Sequence, residues 1–409
     1  MKLSSFFGTN PGHKKSENED SIFVDDKLGL YIVADGMGGA IKGTLASQKT
    51  CELVSKKIIE RAEFLEPLIK SHEPAKKDLL KDTFDELINE ASSEIRSLVK
   101  TDPSLKGMAS TLTLLWIHHN KAYLAHVGDS RCYLKRADQL HQLTLDHTYG
   151  QLAQSKGITK EVPKAQALTQ AIGFSKRVLI DHLLIELDSS DKFILCSDGV
   201  SDHLPEDKLA SSLEKELKQS NVDELIDSAL KSNARDNITA IAISIELKKD
   251  SHITSEDKTR FLKNLPFFEK LNYKEITKTI EASKQSTIES GEYIIHEGDM
   301  GRSFFIILKG SAEIKKGETS LSILKAGDYF GEMSVIDGQK RSADVIALEK
   351  TSVVEITHQQ FFKLIQNNPQ LGAKILWNFN KRFSMIIRNL NQKINSQEED
   401  TEEFNFLDI

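Results

Sequence analysis

Leu30-Tyr31-Ile32-Val33-Ala34-Asp35-Gly36-Met37-Gly38-Gly39 decides the reading of this chain. The apolar run Leu30–Ala34 describes a buried strand. The strand is expected to end at Asp35, with the glycines forming a tight turn and a helical pattern starting at Ala40. Such an ending fixes one carboxylate in space. Three more acidic sites stand beside apolar runs: Asn18-Glu19-Asp20, Cys196-Ser197-Asp198-Gly199 and Arg235-Asp236-Asn237. One Asp-Gly pair is an ordinary turn. The full set implies convergence on hard divalent cations, Mg²⁺ or Mn²⁺, which prefer oxygen ligands. Two such ions ~3.5–4 Å apart lower the pKa of a shared water, aim it in line at phosphorus and neutralise charge on the phosphoryl oxygens. No covalent nucleophile is required, and no cysteine sits in a phosphate-cradling loop.

At 409 residues the chain is expected to hold two domains. A net charge of -7 argues against a nucleic-acid partner, which demands a basic face. Cys51, Cys132 and Cys196 form no CxxC pair, so a reducing compartment is expected, without disulfides or a thiolate zinc site. The N-terminus has no signal-peptide pattern, and no apolar run approaches the ~20 residues of a membrane helix. The expectation is a cytoplasmic protein with no membrane partner.

Strands are expected at Ser5–Thr9, Ser21–Asp25, Gly29–Ala34, Ser110–Ile117, Lys121–Val127, Cys132–Lys135, Val178–Leu187, Lys192–Cys196 and Ile238–Ile245. Helical spacing marks Ala40–Glu63, 75–100, Pro205–Leu217 and Val222–Asn233, with a break at Pro67 and Pro74. Thr144–Gly173 reads as an irregular surface segment. The fold class is α+β: an α-β-β-α sandwich over 1–246, a polar linker over 247–258, and a glycine-punctuated β-roll (jelly roll) with flanking helices over 259–395. The acidic tail 396–409 is expected to be disordered.

The ordered set Asn18-Glu19-Asp20-Ser21, Ala34-Asp35-Gly36-Met37-Gly38-Gly39, Ala109-Ser110-Thr111, Val127-Gly128-Asp129-Ser130-Arg131, Leu143-Thr144-Leu145-Asp146-His147, Leu168–Gly173, Cys196-Ser197-Asp198-Gly199 and Arg235-Asp236-Asn237-Ile238-Thr239 resembles the metal-dependent Ser/Thr protein phosphatases of type 2C, in their bacterial form. The resemblance implies that Asp35 bridges two metals and that Asp198 and Asp236 complete one shell. It implies the Gly36 carbonyl for the other metal, with Glu19 or Asp20 nearby, and Asp129 for a third, weaker ion. Lys15 stands where many members place a phosphate-binding Arg, and a Lys cannot grip phosphate bidentately. Met37 stands where some members have a His proposed as general acid. Asp146–Pro163 matches the family's flap, where substrate choice is expected.

In the second half, Phe330-Gly331-Glu332 followed by Arg341-Ser342-Ala343 suits a phosphate held by amides, a hydroxyl and a guanidinium. With Gly291-Glu292, Glu297-Gly298-Asp299 and Phe305–Gly310, the segment resembles the cyclic-nucleotide-binding domains of the catabolite activator and the kinase regulatory subunit. The resemblance implies Glu332 on the ribose 2′-hydroxyl, and Arg341, Ser342 and the Gly331 amide region on the cyclic phosphate of cAMP or cGMP. A final helix carries the stripe Leu371, Ile375, Phe379, Phe383, Ile386, Leu390 and Ile394, which either packs on the barrel or makes a homodimer. The expected function is hydrolysis of phosphoserine and phosphothreonine in a phosphoprotein substrate, under cyclic-nucleotide control. The rivals are a non-catalytic adaptor and a constitutive phosphatase with a dimerisation-only second domain.

Overall fold

The computed structural model describes residues 1–388 apart from 14–16, 159–161, 215, 248–254, 264, 266–267, 269–270, 333–337, 368, 382–383 and 386. Its contacts divide the chain into two compact units, Met1–Glu256 and Asp257–Ile409. The division falls inside the expected linker.

The first unit runs β1 (Lys2–Asn10), β2 (Asp20–Asp25), β3 (Leu30–Met37), α1 (Ala40–Glu60), α2 (Ala62–Lys70), α3 (Pro74–Thr101), β4 (Ala109–Ser110), β5 (Leu112–His118), β6 (Lys121–Val127), β7 (Arg131–Arg136), β8 (Gln139–Gln142), α4 (Tyr149–Ser155), β9 (Asp181–Glu186), β10 (Lys192–Cys196), α5 (Asp198–Ser201), α6 (Glu206–Ser212), α7 (Gln219–Lys231) and β11 (Ile238–Glu246). One antiparallel sheet has the order β1-β11-β10-β7-β8 and the other β2-β3-β5-β6-β9. The two ends of the unit pair along their whole length, from Lys2 opposite Glu246 to Asn10 opposite Ile238. The stripe Leu80, Phe84, Leu87, Ile88, Ala91 and Ile95 of α3 is buried in one core with Ile32, Ala34, Leu114 and Trp116 of the second sheet. The other core joins Ile194, Cys196 and Ala240 of the first sheet to Leu209 of α6 and to Val222 and Leu225 of α7.

Four expectations are corrected. The strand carrying Asp35 does not stop there: β3 runs on to Met37, because β4 pairs Ser110 with Gly36 and Ala109 with Met37. The expected break at Pro67 lies inside α2. Burial of Leu65, Leu68 and Ile69 outweighs the hydrogen bond a mid-helix Pro removes. The segment expected to be irregular contains α4, opened by the Thr148 hydroxyl, which accepts from the Gln151 amide at 3.2 Å. Finally, the end of the linker is helical, in α8 (Ser255–Lys263). Its opening amides on Ser255 and Glu256 donate to the Asp188 carboxylate at 2.8 and 2.9 Å.

The second unit holds α9 (Tyr273–Glu281), β12 (Lys284–Ile288), β13 (Tyr293–Ile295), β14 (Ser303–Lys309), β15 (Ser311–Lys316), β16 (Thr319–Lys325), β17 (Tyr329–Phe330), β18 (Asp344–Ala347), β19 (Thr351–Thr357) and α10 (His358–Asn367). The strands form two antiparallel sheets, ordered β12-β19-β14-β17 and β13-β18-β15-β16. Ile295, Phe305, Ile307, Ala312, Phe330, Val345 and Val353 make their shared core. Residues 369–381 are helical. Leu371, Ile375 and Phe379 from this stripe are buried, with Phe379 edge-on to Phe361 of α10 at 6.2 Å. The described half of the stripe therefore packs within its own unit, while Phe383, Ile386, Leu390, Ile394 and the acidic tail lie outside the described residues.

Candidate metal centre and anion site

Asp20 and Asp35 are brought together by the β2–β3 register, in which they are direct cross-strand partners. Asp198 opens α5 directly after β10, and Asp236 stands just before β11, which pairs with β10. Four carboxylates widely separated in sequence thus share one end of two sheets. Three of them, Asp20, Asp35 and Asp198, are raised above the ordinary carboxylate range. Burial raises Asp35 well above the usual carboxylate range, and the charges of Asp20, Asp198, Asp129 and Asp236 raise it further. Asp20 is pushed up to about 7 by burial and by Asp198 and Asp236, against hydrogen bonds from Thr239 and Ser197. Asp198 rises to about 6, through burial and then Asp236 and Asp202, while a hydrogen bond with Asp35 opposes the rise. Asp129, in the turn between β6 and β7, is pushed up to about 8 by burial and by Asp198, Asp146 and Asp202. Asp129 therefore belongs electrostatically to the same centre.

The scaffold around the carboxylates is built from neutral polar groups. Ser197 Oγ donates to Asp20 Oδ2 at 2.8 Å and accepts from the Thr239 amide at 3.1 Å. The Asp35 amide donates to Thr111 Oγ1 at 2.8 Å, and Thr111 pairs with Ser130 Oγ at 2.8 Å. Buried Asn237 accepts from the Glu19 amide at 2.9 Å and donates to the carbonyls of Pro11 and Glu17 at 3.0 and 3.2 Å. These positioning residues had no role in the sequence reading. Their signal was adjacency, since each stands in a motif beside a carboxylate. Gly36 is required by close approach: a Cβ there would meet the Gly43 carbonyl and lie 2.7 Å from the Glu19 carbonyl oxygen. Glu19 and Asp20 have different surroundings. Asp20 joins the charge cluster, whereas the Glu19 carboxylate lies against Gly43 of α1. Lys15 lies outside the described residues.

Among the described residues, no group of three or more His, Cys, Asp or Glu side chains is already arranged to hold a metal ion. The chemistry of the donor set nevertheless fits hard divalent cations. Asp20 Oδ1 and Asp198 Oδ1 are buried without a hydrogen-bond partner. Mg²⁺ sites use one or two carboxylates and keep several waters, so three convergent side chains are not needed. The three cysteines are free and buried.

In the second unit the expected anion residues Gly331, Glu332 and Arg341 also come together. Arg341 Nη1 donates to the Gly331 carbonyl at 3.0 Å and Nη2 to the Ser303 carbonyl at 2.5 Å. Its guanidinium lies 6.0 Å from the Phe305 ring centroid, and Phe305 stacks on Phe330 at 5.3 Å. Burial lowers the Arg341 pKa, while the charges of Glu355, Asp299 and Glu332 oppose that. Ser342 is exposed beside it. Residues 333–337, which complete the expected phosphate-binding loop, lie outside the described residues.

A buried carboxylate cluster at the ends of two antiparallel sheets defines a metal-dependent hydrolase of phosphate esters as the class this site fits. Residues 7–233 match the Protein phosphatase 2C family model, more than half of the chain, and the protein belongs to that family. It is a protein Ser/Thr phosphatase whose C-terminal part, residues 285–368, matches the cyclic nucleotide-binding domain. The serine/threonine phosphatase stp of Listeria innocua is 30% identical over 250 residues, 59% of this chain and 95% of that one. The structure of the Mycobacterium tuberculosis serine/threonine phosphatase PstP/Ppp is 29% identical with a TM-score of 0.51, covering 60% of this chain and all of that one. A structure of the PstP catalytic domain in complex with 2 manganese ions is 29% identical with a TM-score of 0.50, covering 60% of this chain and 99% of that one. Among the described residues, no helix is long and apolar enough to cross a membrane.

Proposed function

We propose that this phosphatase hydrolyses phosphoserine and phosphothreonine with two Mn²⁺ or Mg²⁺ ions, possessing weaker affinity for a third, under control of a cyclic nucleotide bound by its second unit. The observation that carries the metal reading is the pair of unpartnered buried oxygens on Asp20 and Asp198, beside Asp35, in a cluster where burial and like charge raise all three. Like charges packed this closely are stabilised by a shared cation. In this reading Asp35 would be a ligand to both ions, Asp198 and Asp236 would help hold one, and the Gly36 carbonyl with Asp20 or Glu19 would help hold the other. Asp129 would help hold the third, and Lys15 would meet the phosphate. When bound, the ions supply Lewis-acid charge at the phosphoryl group and lower the pKa of a water. The chain's own part is to hold the carboxylates in register. The β2–β3 ladder does so for Asp20 and Asp35, Ser197 orients Asp20, and Asn237 ties the Glu19 backbone to the turn carrying Asp236. The same reading takes the two sheets and their helices as an α-β-β-α sandwich, and the second unit's two sheets as a β-roll.

The regulatory part rests on Gly331, Glu332 and Arg341 standing together. Glu332 binds the ribose hydroxyl, and Arg341 and Ser342 bind the cyclic phosphate. Coupling of this kind is typically worth ~1–3 kcal/mol, a rate change of roughly 5- to 150-fold. Phosphopeptide hydrolysis with Mn²⁺, with and without cAMP or cGMP, tests both halves: hydrolysis that ignores Mn²⁺ removes the metal reading, and hydrolysis that ignores both nucleotides removes the regulatory one. A homodimer through the last helix draws support from Leu376 and Trp377, which the helix leaves exposed. Light scattering of Trp377→Glu against the unsubstituted chain tests that contact. A cytoplasmic location is kept as part of this reading, supported by three unpaired cysteines.

A further inference from the structure

Glu355 is a carboxylate turned toward the inside of the second unit, and the chemistry above gives it no role. On the β14–β19 ladder it is the direct partner of Phe305, so the two side chains share a face, and Phe305 belongs to the unit's buried core. Ser303 stands two residues before Phe305, on the same face of β14. Its hydroxyl donates to Glu355 Oε1 at 2.6 Å, and its carbonyl accepts from Arg341 Nη2 at 2.5 Å. One residue thus holds both the carboxylate and the guanidinium. Arg341 and Ser303 are each 8% exposed, and Glu355 is partly buried. The other ladder neighbour of Glu355 is Lys284 of β12, which is exposed, so water screens its charge.

Of the charges acting on Arg341, that of Glu355 is the largest, ahead of Asp299 and Glu332. An anion brought to this guanidinium is attracted by one charge and repelled by three. The repulsion grows in proportion to the charge of the incoming group. A cyclic phosphodiester carries a single negative charge, whereas a phosphate monoester approaches two at and above neutral pH. A 3′,5′-cyclic nucleotide and the matching 5′-monophosphate present the same base and sugar, and differ at Arg341 by that second charge.

We propose that Glu355 is a specificity-determining residue of the Arg341 site: held by the Ser303 hydroxyl, its carboxylate turns away doubly charged phosphate monoesters and leaves singly charged cyclic phosphodiesters as the ligands. This deepens the cyclic-nucleotide reading and rests on it. Glu355→Gln removes the charge while keeping an oxygen that accepts from Ser303.

The test measures binding by isothermal titration at pH 8, in the full chain, of cAMP and cGMP against 5′-AMP and 5′-GMP. The unsubstituted chain should bind the cyclic forms more tightly. Glu355→Gln should tighten the cyclic ligand about fivefold and the monoester about 25-fold, because relief of repulsion scales with ligand charge, so the preference narrows about fivefold. Glu355→Asp, which keeps the charge, should hold the preference within about twofold. An unchanged preference in Glu355→Gln would overturn the proposal. Equal weakening of both ligands would overturn it too, since Glu355 would then only orient Arg341. Should Glu355→Gln fail to fold, Glu355→Met combined with Ser303→Ala removes acceptor and donor together and decides on the same ratio. An unsubstituted chain that binds neither cyclic nucleotide removes the regulatory reading and this proposal with it, whereas one that binds them with a ratio indifferent to Glu355 removes the proposal alone.

Discussion

The two polar sites of this protein are opposites in charge and in completeness. In the first unit, carboxylates from four motifs are packed together, and burial with neighbouring like charge raises Asp20, Asp35 and Asp198. In the second unit, one buried guanidinium already has carbonyl acceptors on two of its nitrogens and three carboxylates around it. The first site is electrostatically unfinished and favours a cation; the second is satisfied and must exchange interactions to take an anion. That difference predicts that metal ions act on the first unit's stability as well as its activity, whereas nucleotide binding in the second is a near-balanced exchange.

The largest effect expected is at the shared carboxylate. Asp35→Ala should lower Mn²⁺-dependent kcat/KM by ~10³-fold or more, the scale of removing a group that organises transition-state charge. Activity within tenfold of the unsubstituted protein would break the assignment. The folded chain should nevertheless gain stability without metal, since one buried carboxyl crowded by like groups is gone.

Next in size is the pH response of the metal-free protein. Asp20 and Asp198 titrate at about 7 and about 6 when folded, above the usual carboxylate value that applies when unfolded. Folding therefore favours their protonated forms. Their stability contribution is complete below pH ~4 and is lost as pH rises through 6 to 7. Thermal melts in chelator should show a lower midpoint at pH 8 than at pH 5.5, by about 2–4 kcal/mol of stability. Mn²⁺ should restore more at pH 8 than at pH 5.5, because protons compete with the ion for the same oxygens. A metal-free midpoint that rises with pH over this range would break the contrast between the two sites.

For the second site, Arg341→Ala should abolish any cAMP- or cGMP-induced rise in its melting temperature. It should also destabilise the second unit by about 1–3 kcal/mol by leaving the Gly331 and Ser303 carbonyls without their donor. A variant that still shows the full nucleotide shift would remove Arg341 from the site. The smallest effect is at the scaffold. Ser197→Ala deletes one hydrogen bond to Asp20 and one acceptor for the Thr239 amide, worth about 1–2 kcal/mol. Its Mn²⁺ affinity should fall severalfold, and an unchanged affinity would reduce Ser197 to a structural link.

The carboxylates were legible in the sequence because each ends or adjoins an apolar run, and period and punctuation are local signals. So was the α3 stripe, from Leu80 to Ile95, because helical spacing is written in the residues themselves. What the sequence could not decide depended on partners remote in the chain. Strand β3 continues through Asp35 to Met37 because β4, more than 70 residues later, supplies its neighbour. Helix α2 accepts Pro67 because a core assembled from other elements takes Leu65, Leu68 and Ile69. Asp20 came into the charge cluster through strand register, as the direct cross-strand partner of Asp35. The roles of Ser197, Thr111 and Asn237 appeared only when hydrogen bonds spanning up to 220 residues could be traced. Sequence by itself determined which residues carry charge and which elements present them. The tertiary structure decided which charges share one solvent-poor space, and electrostatic energy depends on that distance and burial rather than on order along the chain.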